Sequence, residues 1–237
     1  MKQILRPSLA VVAVIAALGL AGISQAQTQS TAKVTKAQAS QILGYELAGS
    51  YPEWAHDMVD PKLVGQAVTR ALEGQKPTLT EDQLKTAVPA FQQELATRGK
   101  QEFDKVSAQN KREGDAYLAK NKSQAGVHVT ADGLQYQVVS QGSGPRPQAT
   151  DTVQINYTGS MVNGEVFDSS ASHGSGPAKF DLANVFPGFK EALMLMPVGS
   201  HYKFAIPSDL AYGSQPRKFP PNATLLFDVT LVKIGAN

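Results

Sequence analysis

The sequence contains no cysteine and only four histidines in its 237 residues. Without cysteine there is no disulfide bond, thiol nucleophile, iron–sulfur cluster or cysteine-ligated zinc. His56, His128, His173 and His201 are scattered, and no two have the spacing of paired metal ligands on a helix or strand. We therefore expect no metal ion.

Long apolar runs are also scarce, and the longest lies near the N-terminus. Lys2 and Arg6 precede apolar residues 9–23, and small residues at Ser24 and Ala26 follow. This order is typical of a cleaved signal peptide, and the run is shorter than the ~20 residues of a spanning helix. We predict that residues 1–26 are a signal peptide, with export to the periplasm or the cell surface. A retained membrane anchor is the alternative.

The predicted mature chain has no excess of either charge. Loss of Lys2 and Arg6 reduces the 22 basic residues to 20, equal to the 20 acidic residues. Proteins that bind a phosphate backbone present a basic surface. We therefore expect no nucleic-acid partner.

Proline and glycine are unevenly distributed. Residues 27–126 contain 4 Pro and 7 Gly, whereas residues 127–237 contain 9 and 11. This difference predicts a helical first half and a turn-rich second half. We place an N-terminal helical region at residues 27–79, a long connecting helix at 80–125 and a C-terminal domain at 126–237.

Capping residues mark three helix starts in the first half. Thr35 and Thr80 each begin a capping box, and Asp60 precedes Pro61 at a first helical position. The first two helices carry apolar stripes but are too short to bury a core of their own. We predict a homodimer through these helices; the alternative is that the stripes pack on the second half of the same chain. Residues 98–122 are mostly polar and predict a solvated helical stalk. Pro89 could kink the long connecting helix before this stalk.

The second half has the alternating pattern of half-buried strands, and Asn163-Gly164 predicts a two-residue hairpin. A short helix is expected at residues 188–196. The class is therefore α+β with an antiparallel sheet. The predicted strands cover residues 134–138, 153–157, 203–206 and 225–234.

No nucleophile elbow, P-loop or dinucleotide fingerprint is present in the sequence. Ordered strings of residues in the second half instead carry a resemblance to a known family. The strings are Tyr157-Thr158-Gly159, Phe167-Asp168-Ser169-Ser170, Val185-Phe186-Pro187-Gly188-Phe189, Leu210-Ala211-Tyr212-Gly213 and residues 221–229. Together they resemble the FKBP-type peptidyl-prolyl cis-trans isomerases. With the helical N-terminal half, the chain resembles the exported bacterial Mip/FkpA-like subgroup, whose members are dimers.

The resemblance implies a half-wrapped antiparallel sheet around a short helix, and an aromatic pocket that needs no cofactor. The resemblance also implies that this pocket stabilises the twisted X–Pro imide without covalent chemistry, and so assists the folding of exported proteins. Proline-containing unfolded chains or peptides are the implied substrates, and macrolide inhibitors are candidate ligands. Phe180 is expected in the core. The implied catalytic residues are Asp168, Tyr212 and Tyr157, and the implied substrate-binding residues are Phe167, Val185, Phe186, Phe189, Phe219 and Phe227.

A non-catalytic reading remains as the alternative. The resemblance places Phe189 at the pocket floor, where the family usually has tryptophan, and residues 213–219 form a loop that is shorter than in many relatives and carries Arg217 and Lys218 instead of apolar residues. These departures suit a holdase chaperone or an adhesion-type binding module that retains the fold.

Overall fold

A computed structural model describes residues 33–174, 176–215 and 219–235. The predicted signal peptide and residues 216–218 of the polar loop lie outside the described residues. The chain divides into two compact units between Tyr51 and Pro52.

The first unit contains helix α1, Lys36–Gly49. The Thr35 hydroxyl accepts a hydrogen bond from the amide of Gln38 at 3.2 Å, and the Gln38 side chain accepts one from the amide of Thr35 at 2.9 Å. This reciprocal pair satisfies amides that the first helical turn leaves without partners. The predicted capping box is confirmed.

The second unit begins with a 3-10 helix, Glu53–Met58, and helices α2, Pro61–Leu72, and α3, Glu81–Asn121. The predicted caps at Asp60 and Thr80 are both present. Helix α3 continues through Pro89. The 3-10 helix packs on α3, where Asp57 pairs with Arg98 at 3.0 Å. No helix of the described part of the chain is both long enough and apolar enough to cross a membrane.

The sheet in the described residues has seven strands: β1, Val127–Val129; β2, Gln135–Ser140; β3, Thr152–Met161; β4, Val166–Ser169; β5, Ala178–Asp181; β6, His201–Ile206; and β7, Leu225–Ile234. All pairings are antiparallel, in the order β1-β2-β6-β7-β3-β4, and β5 also pairs with β3. Strands β3 and β7 are the longest and lie next to each other.

The core lies between the sheet and helix α4, Pro187–Met194. Leu193 on the helix and Ile155, Leu231 and Ile206 on the strands are completely buried. Burial of such a side chain stabilises the fold by roughly 1.5–3 kcal/mol. The predicted α+β class and sheet-on-helix architecture are confirmed.

Two local predictions are corrected. The β3–β4 turn spans three residues, because Met161 donates its amide to the carbonyl of Glu165, and its left-handed residue is Gly164. A two-residue type I′ turn would also need a positive φ at Asn163, which the structure does not have. The prediction of a solvated stalk holds for most of the second half of α3, but one stripe, which contains Ser107 and Gly114, is buried.

Candidate active site

A cleft of about 630 Å3 opens beside the N-terminus of α4. Every site residue implied by the sequence lines this cleft. Its walls also include Asn184 and Gln215. The implied residues at the cleft are Tyr157, Phe167, Asp168, Val185, Phe186, Phe189, Tyr212, Phe219 and Phe227.

Phe189 forms the floor of the cleft. Phe186 has an extended backbone as the N-cap residue of α4, and Pro187 takes the first helical position, where proline costs no hydrogen bond. This start turns Phe189 inward, so that it is only 3% exposed. Its ring centroid lies 4.6 Å from that of Phe227 and 5.5 Å from that of Phe186. The floor is therefore apolar and closely packed.

A bulge in β4 explains how the adjacent residues Phe167 and Asp168 both line the cleft. Gly159 pairs with Asp168 and Ser160 pairs with Val166, so Phe167 is the extra residue on its strand. In a regular strand, neighbouring side chains point to opposite faces. The bulge redirects one of them, as β-bulges near functional sites commonly do.

Gly159 lets the aromatic rings approach the sheet. A Cβ atom at this position would lie 2.7 Å from the ring of Phe167 and 3.0 Å from that of Phe227. Both distances are shorter than ordinary carbon–carbon contact. The glycine in the Tyr157-Thr158-Gly159 string is therefore needed for the wall of the cleft.

The opposite wall is an aromatic stack. The rings of Tyr212 and Phe219 lie nearly parallel at 4.4 Å, and Phe219 meets Phe167 edge-on at 4.9 Å. Aromatic pairs in these arrangements contribute about 0.5–1.5 kcal/mol beyond the area they bury. Phe219 thereby connects the two walls.

Asp168 is the anionic group at the rim. Its Oδ2 atom accepts a hydrogen bond from the hydroxyl of Tyr157 at 2.7 Å. Its Oδ1 atom accepts one from the amide of Ser169 at 2.8 Å and lies 2.7 Å from Nε2 of His173. The carboxylate is thus held on both oxygens.

These contacts set the ionisation of the pair. Burial alone would raise the pKa of Asp168, but hydrogen bonds from Tyr157 and His173, the charge of His173 and the Ser169 amide outweigh burial and lower it. Burial, together with the hydrogen bond to Asp168 and its charge, raises the pKa of Tyr157. At neutral pH the pair is therefore a carboxylate and a neutral phenol that donates to it.

Two residues of the site differ from expectation. Phe180, expected in the core, lines the cleft with its ring in edge contact with those of Tyr157 at 5.4 Å and Phe189 at 5.7 Å. His173 was not among the predicted site residues because a lone histidine shows no ligand spacing. The signal that could have found it is its place five residues after Asp168, at the end of the 3-10 helix Ser170–His173.

Comparisons with known proteins agree with this geometry. Residues 144–232 match the family profile "FKBP-type peptidyl-prolyl cis-trans isomerase", and residues 36–138 match the "domain amino terminal to FKBP-type peptidyl-prolyl isomerase". The chain is 37% identical over 223 residues to the outer membrane protein MIP of Legionella longbeachae, covering 92% of this chain and 95% of that protein.

Two further relatives come from Escherichia coli. The FKBP-type 22 kDa peptidyl-prolyl cis-trans isomerase is 37% identical over 209 residues, covering 87% of this chain and 99% of the relative. The crystal structure of FkpA superimposes with a TM-score of 0.65 at 31% identity, covering 85% of this chain and 97% of that one. The family and enzyme class predicted from the sequence are confirmed: the chain belongs to the FKBP-type peptidyl-prolyl cis-trans isomerases.

Proposed function

We propose that the aromatic cleft binds a prolyl residue and accelerates rotation about the peptide bond that precedes it. Resonance in the planar peptide bond accounts for the barrier, and for X–Pro bonds the thermal rotation takes tens to hundreds of seconds. The twisted bond has lost this resonance and is less polar than the planar one. A cleft lined by aromatic rings favours the twisted state over the planar state more than water does.

The cluster at Asp168 supports a catalytic path without proton transfer. The lowered pKa of Asp168 makes it a poor base at neutral pH, and both of its oxygens are already engaged. Its role is to fix the Tyr157 ring and to place a negative charge near the twisted carbonyl carbon. The hydroxyl of Tyr212, on the opposite wall, donates a hydrogen bond to a substrate carbonyl.

The observation that carries this proposal is the aromatic cleft, with a neutral tyrosine that donates a hydrogen bond to an anionic aspartate at its rim. A peptide isomerisation assay tests it with Asp168→Ala and Tyr212→Phe beside the wild type. Both variants should lose catalysis while remaining folded. If isomerisation is absent from the wild type while aggregation of an unfolded client is suppressed, the holdase alternative replaces the enzyme.

The proposal includes a homodimer through the N-terminal helices. On α1, Ile42 and Leu43 are each 51% exposed, and on α2, Leu63 and Leu72 are 61% and 73% exposed. Apolar stripes on short helices need a partner to become buried. The exposures on α2 favour a second copy of the chain over packing on the C-terminal domain, and the match to the N-terminal family domain adds support.

Leu63→Glu combined with Leu72→Glu tests the dimer. Light scattering should give the mass of two chains for the wild type and of one chain for the double variant, because two buried carboxylates would oppose association. Lys62→Glu, on the same helix, is the matched control for added charge. A wild type with the mass of one chain would overturn this part of the proposal.

We further propose that the protein is exported and acts on other exported chains during folding. The predicted signal peptide supports this, as does a relative named as an outer membrane protein. Two clefts in one dimer would bind an unfolded chain with avidity. Cell fractionation tests the location, and recovery of the protein in the cytoplasm would contradict it.

A further inference from the structure

One stripe of α3 is buried although most of this helix is exposed. Ser107 is 9% exposed and Gly114 is also buried. Asn110 lies between them at helical spacing, so the three residues share one face. The stripe is polar and small, unlike the apolar stripe by which a helix ordinarily packs on a core.

This stripe contacts residues 219–224, called here the bridge segment. The side-chain amide of Asn222 donates a hydrogen bond to the hydroxyl of Ser107 at 2.7 Å. The side-chain amide of Asn110 donates one to the carbonyl of Pro221 at 2.8 Å. Each bond joins residues more than a hundred positions apart in the chain.

Gly114 allows this close approach. A Cβ atom on Gly114 would lie 2.3 Å from the hydroxyl oxygen of Thr224 and 3.0 Å from its Cβ atom. Any other side chain would push the helix away from the bridge segment. Residues spread over two turns of α3 therefore contact the same short stretch of chain.

The other end of the bridge segment is in the cleft. Phe219 stacks on Tyr212. The backbone amide of Asn222 donates a hydrogen bond to the carbonyl of Gly213, the residue after Tyr212, at 2.8 Å. Pro220 and Pro221 stiffen the intervening backbone, because the proline ring fixes φ. A displacement at Asn222 is therefore transmitted to Phe219 rather than absorbed between them.

Asn222 itself is held in a special conformation. Among the described residues it is the non-glycine residue with a positive φ, 55°. Asparagine tolerates this left-handed region better than most residues, but it still carries a conformational cost. The bonds from its side chain to Ser107 and from its backbone to Gly213 offset that cost.

We propose that α3 positions the Tyr212–Phe219 wall of the cleft through Ser107 and Asn110. The inference rests on the proposed function of the cleft and extends the isomerase site to the connecting helix. Ser107, Asn110 and Asn222 are positioning residues: they touch no substrate, and they hold the wall that does. Loosening them weakens substrate binding and leaves the rotation step in bound substrate almost unchanged.

A double-mutant cycle in the complete protein tests this coupling. Ser107→Ala removes the acceptor, and Asn222→Gly removes the donor while keeping a residue that accepts positive φ. Each should raise KM for an X–Pro peptide about fivefold with kcat within twofold, and the double variant should also show about a fivefold rise. Asn110→Asp, which replaces the donor to Pro221 by an acceptor, should raise KM at least as much.

Lys111→Ala is the matched control, because Lys111 lies on α3 and pairs with the exposed Asp115. It should leave KM unchanged. The coupling is overturned if Ser107→Ala and Asn222→Gly leave KM at the wild-type value, or if their effects multiply to about twenty-five-fold in the double variant.

Ring resonances provide a readout that does not depend on turnover. Ser107→Ala should shift the NMR signals of Phe219 and Tyr212, whereas Lys111→Ala should not. Unshifted signals in Ser107→Ala would overturn the coupling. Absence of turnover in a wild type whose ring signals respond to Ser107→Ala would instead refute the proposed function alone.

Discussion

The bond from Tyr157 to Asp168 can be tested against a matched bond elsewhere in the same domain. Tyr157 and Tyr202 are 5% and 3% exposed, and each hydroxyl donates at 2.7 Å. The acceptor of Tyr157 is the carboxylate of Asp168, whereas that of Tyr202 is the neutral side chain of Gln141. Replacing each tyrosine by phenylalanine removes one hydroxyl and keeps the ring.

The expected losses follow from the two acceptors. A hydrogen bond to a charged group contributes about 1.5–3 kcal/mol, and a neutral one about 0.5–1.5 kcal/mol. Since the Asp168 side chain is 37% exposed, water replaces part of the lost bond. We expect Tyr157→Phe to lower the free energy of unfolding by about 1–2 kcal/mol, and Tyr202→Phe by about 0.5–1 kcal/mol.

The pH dependence separates the two variants further. Because the folded protein lowers the pKa of Asp168, its carboxylate stabilises the fold above the unfolded pKa, and this stabilisation is lost as pH falls through the folded pKa. The difference between wild type and Tyr157→Phe should therefore shrink in acid, while that for Tyr202→Phe stays constant in this range.

Urea unfolding from pH 7 to pH 3 and peptide isomerisation at pH 7 measure both effects. Tyr157→Phe should lose about tenfold in kcat/KM, equivalent to about 1.4 kcal/mol in the transition state, and Tyr202→Phe should lose none. Equal losses of activity in the two variants, or a pH-independent effect of Tyr157→Phe, would refute the reasoning.

Two further predictions concern the same cleft. His173→Ala should raise the pKa of Asp168 toward its ordinary value, because the hydrogen bond and charge of His173 help to lower it; a carboxyl NMR titration checks this, and an unchanged midpoint would contradict it. As a consequence, stability in acid should begin to fall at a higher pH than in the wild type. Gly159→Ala should destabilise the fold by about 1–3 kcal/mol through overlap with Phe167, and should reduce kcat/KM; thermal unfolding and the peptide assay measure both, and wild-type values would show that the ring wall can shift freely.

Local features were predictable from the sequence because their causes are local. The caps at Thr35, Asp60 and Thr80 depend on residues within one helical turn. The long strands β3 and β7 alternate clearly, and the ordered strings around Tyr157 and Phe186 indicated the family. By contrast, β1 and β5 are only three and four residues long, too short for a periodic pattern.

The unpredicted features depend on distant parts of the chain. The polar face of α3 indicated solvent, yet Ser107 and Asn110 meet a segment more than a hundred residues away. Phe180 is apolar, as core residues are, and the pairing of β5 with β3 places its ring at the cleft. The three-residue turn that ends at Gly164 contains the same Asn163-Gly164 pair as a two-residue turn would, so this pair alone does not fix the register between β3 and β4.

Exchange NMR on a short X–Pro peptide at equilibrium tests the central claim most directly. The thermal interconversion, at tens to hundreds of seconds, is too slow to give cis–trans exchange peaks. A catalytic amount of the wild-type protein should produce these peaks, and the same amount of Asp168→Ala should not. A wild-type protein that binds the peptide without producing exchange peaks would contradict the account.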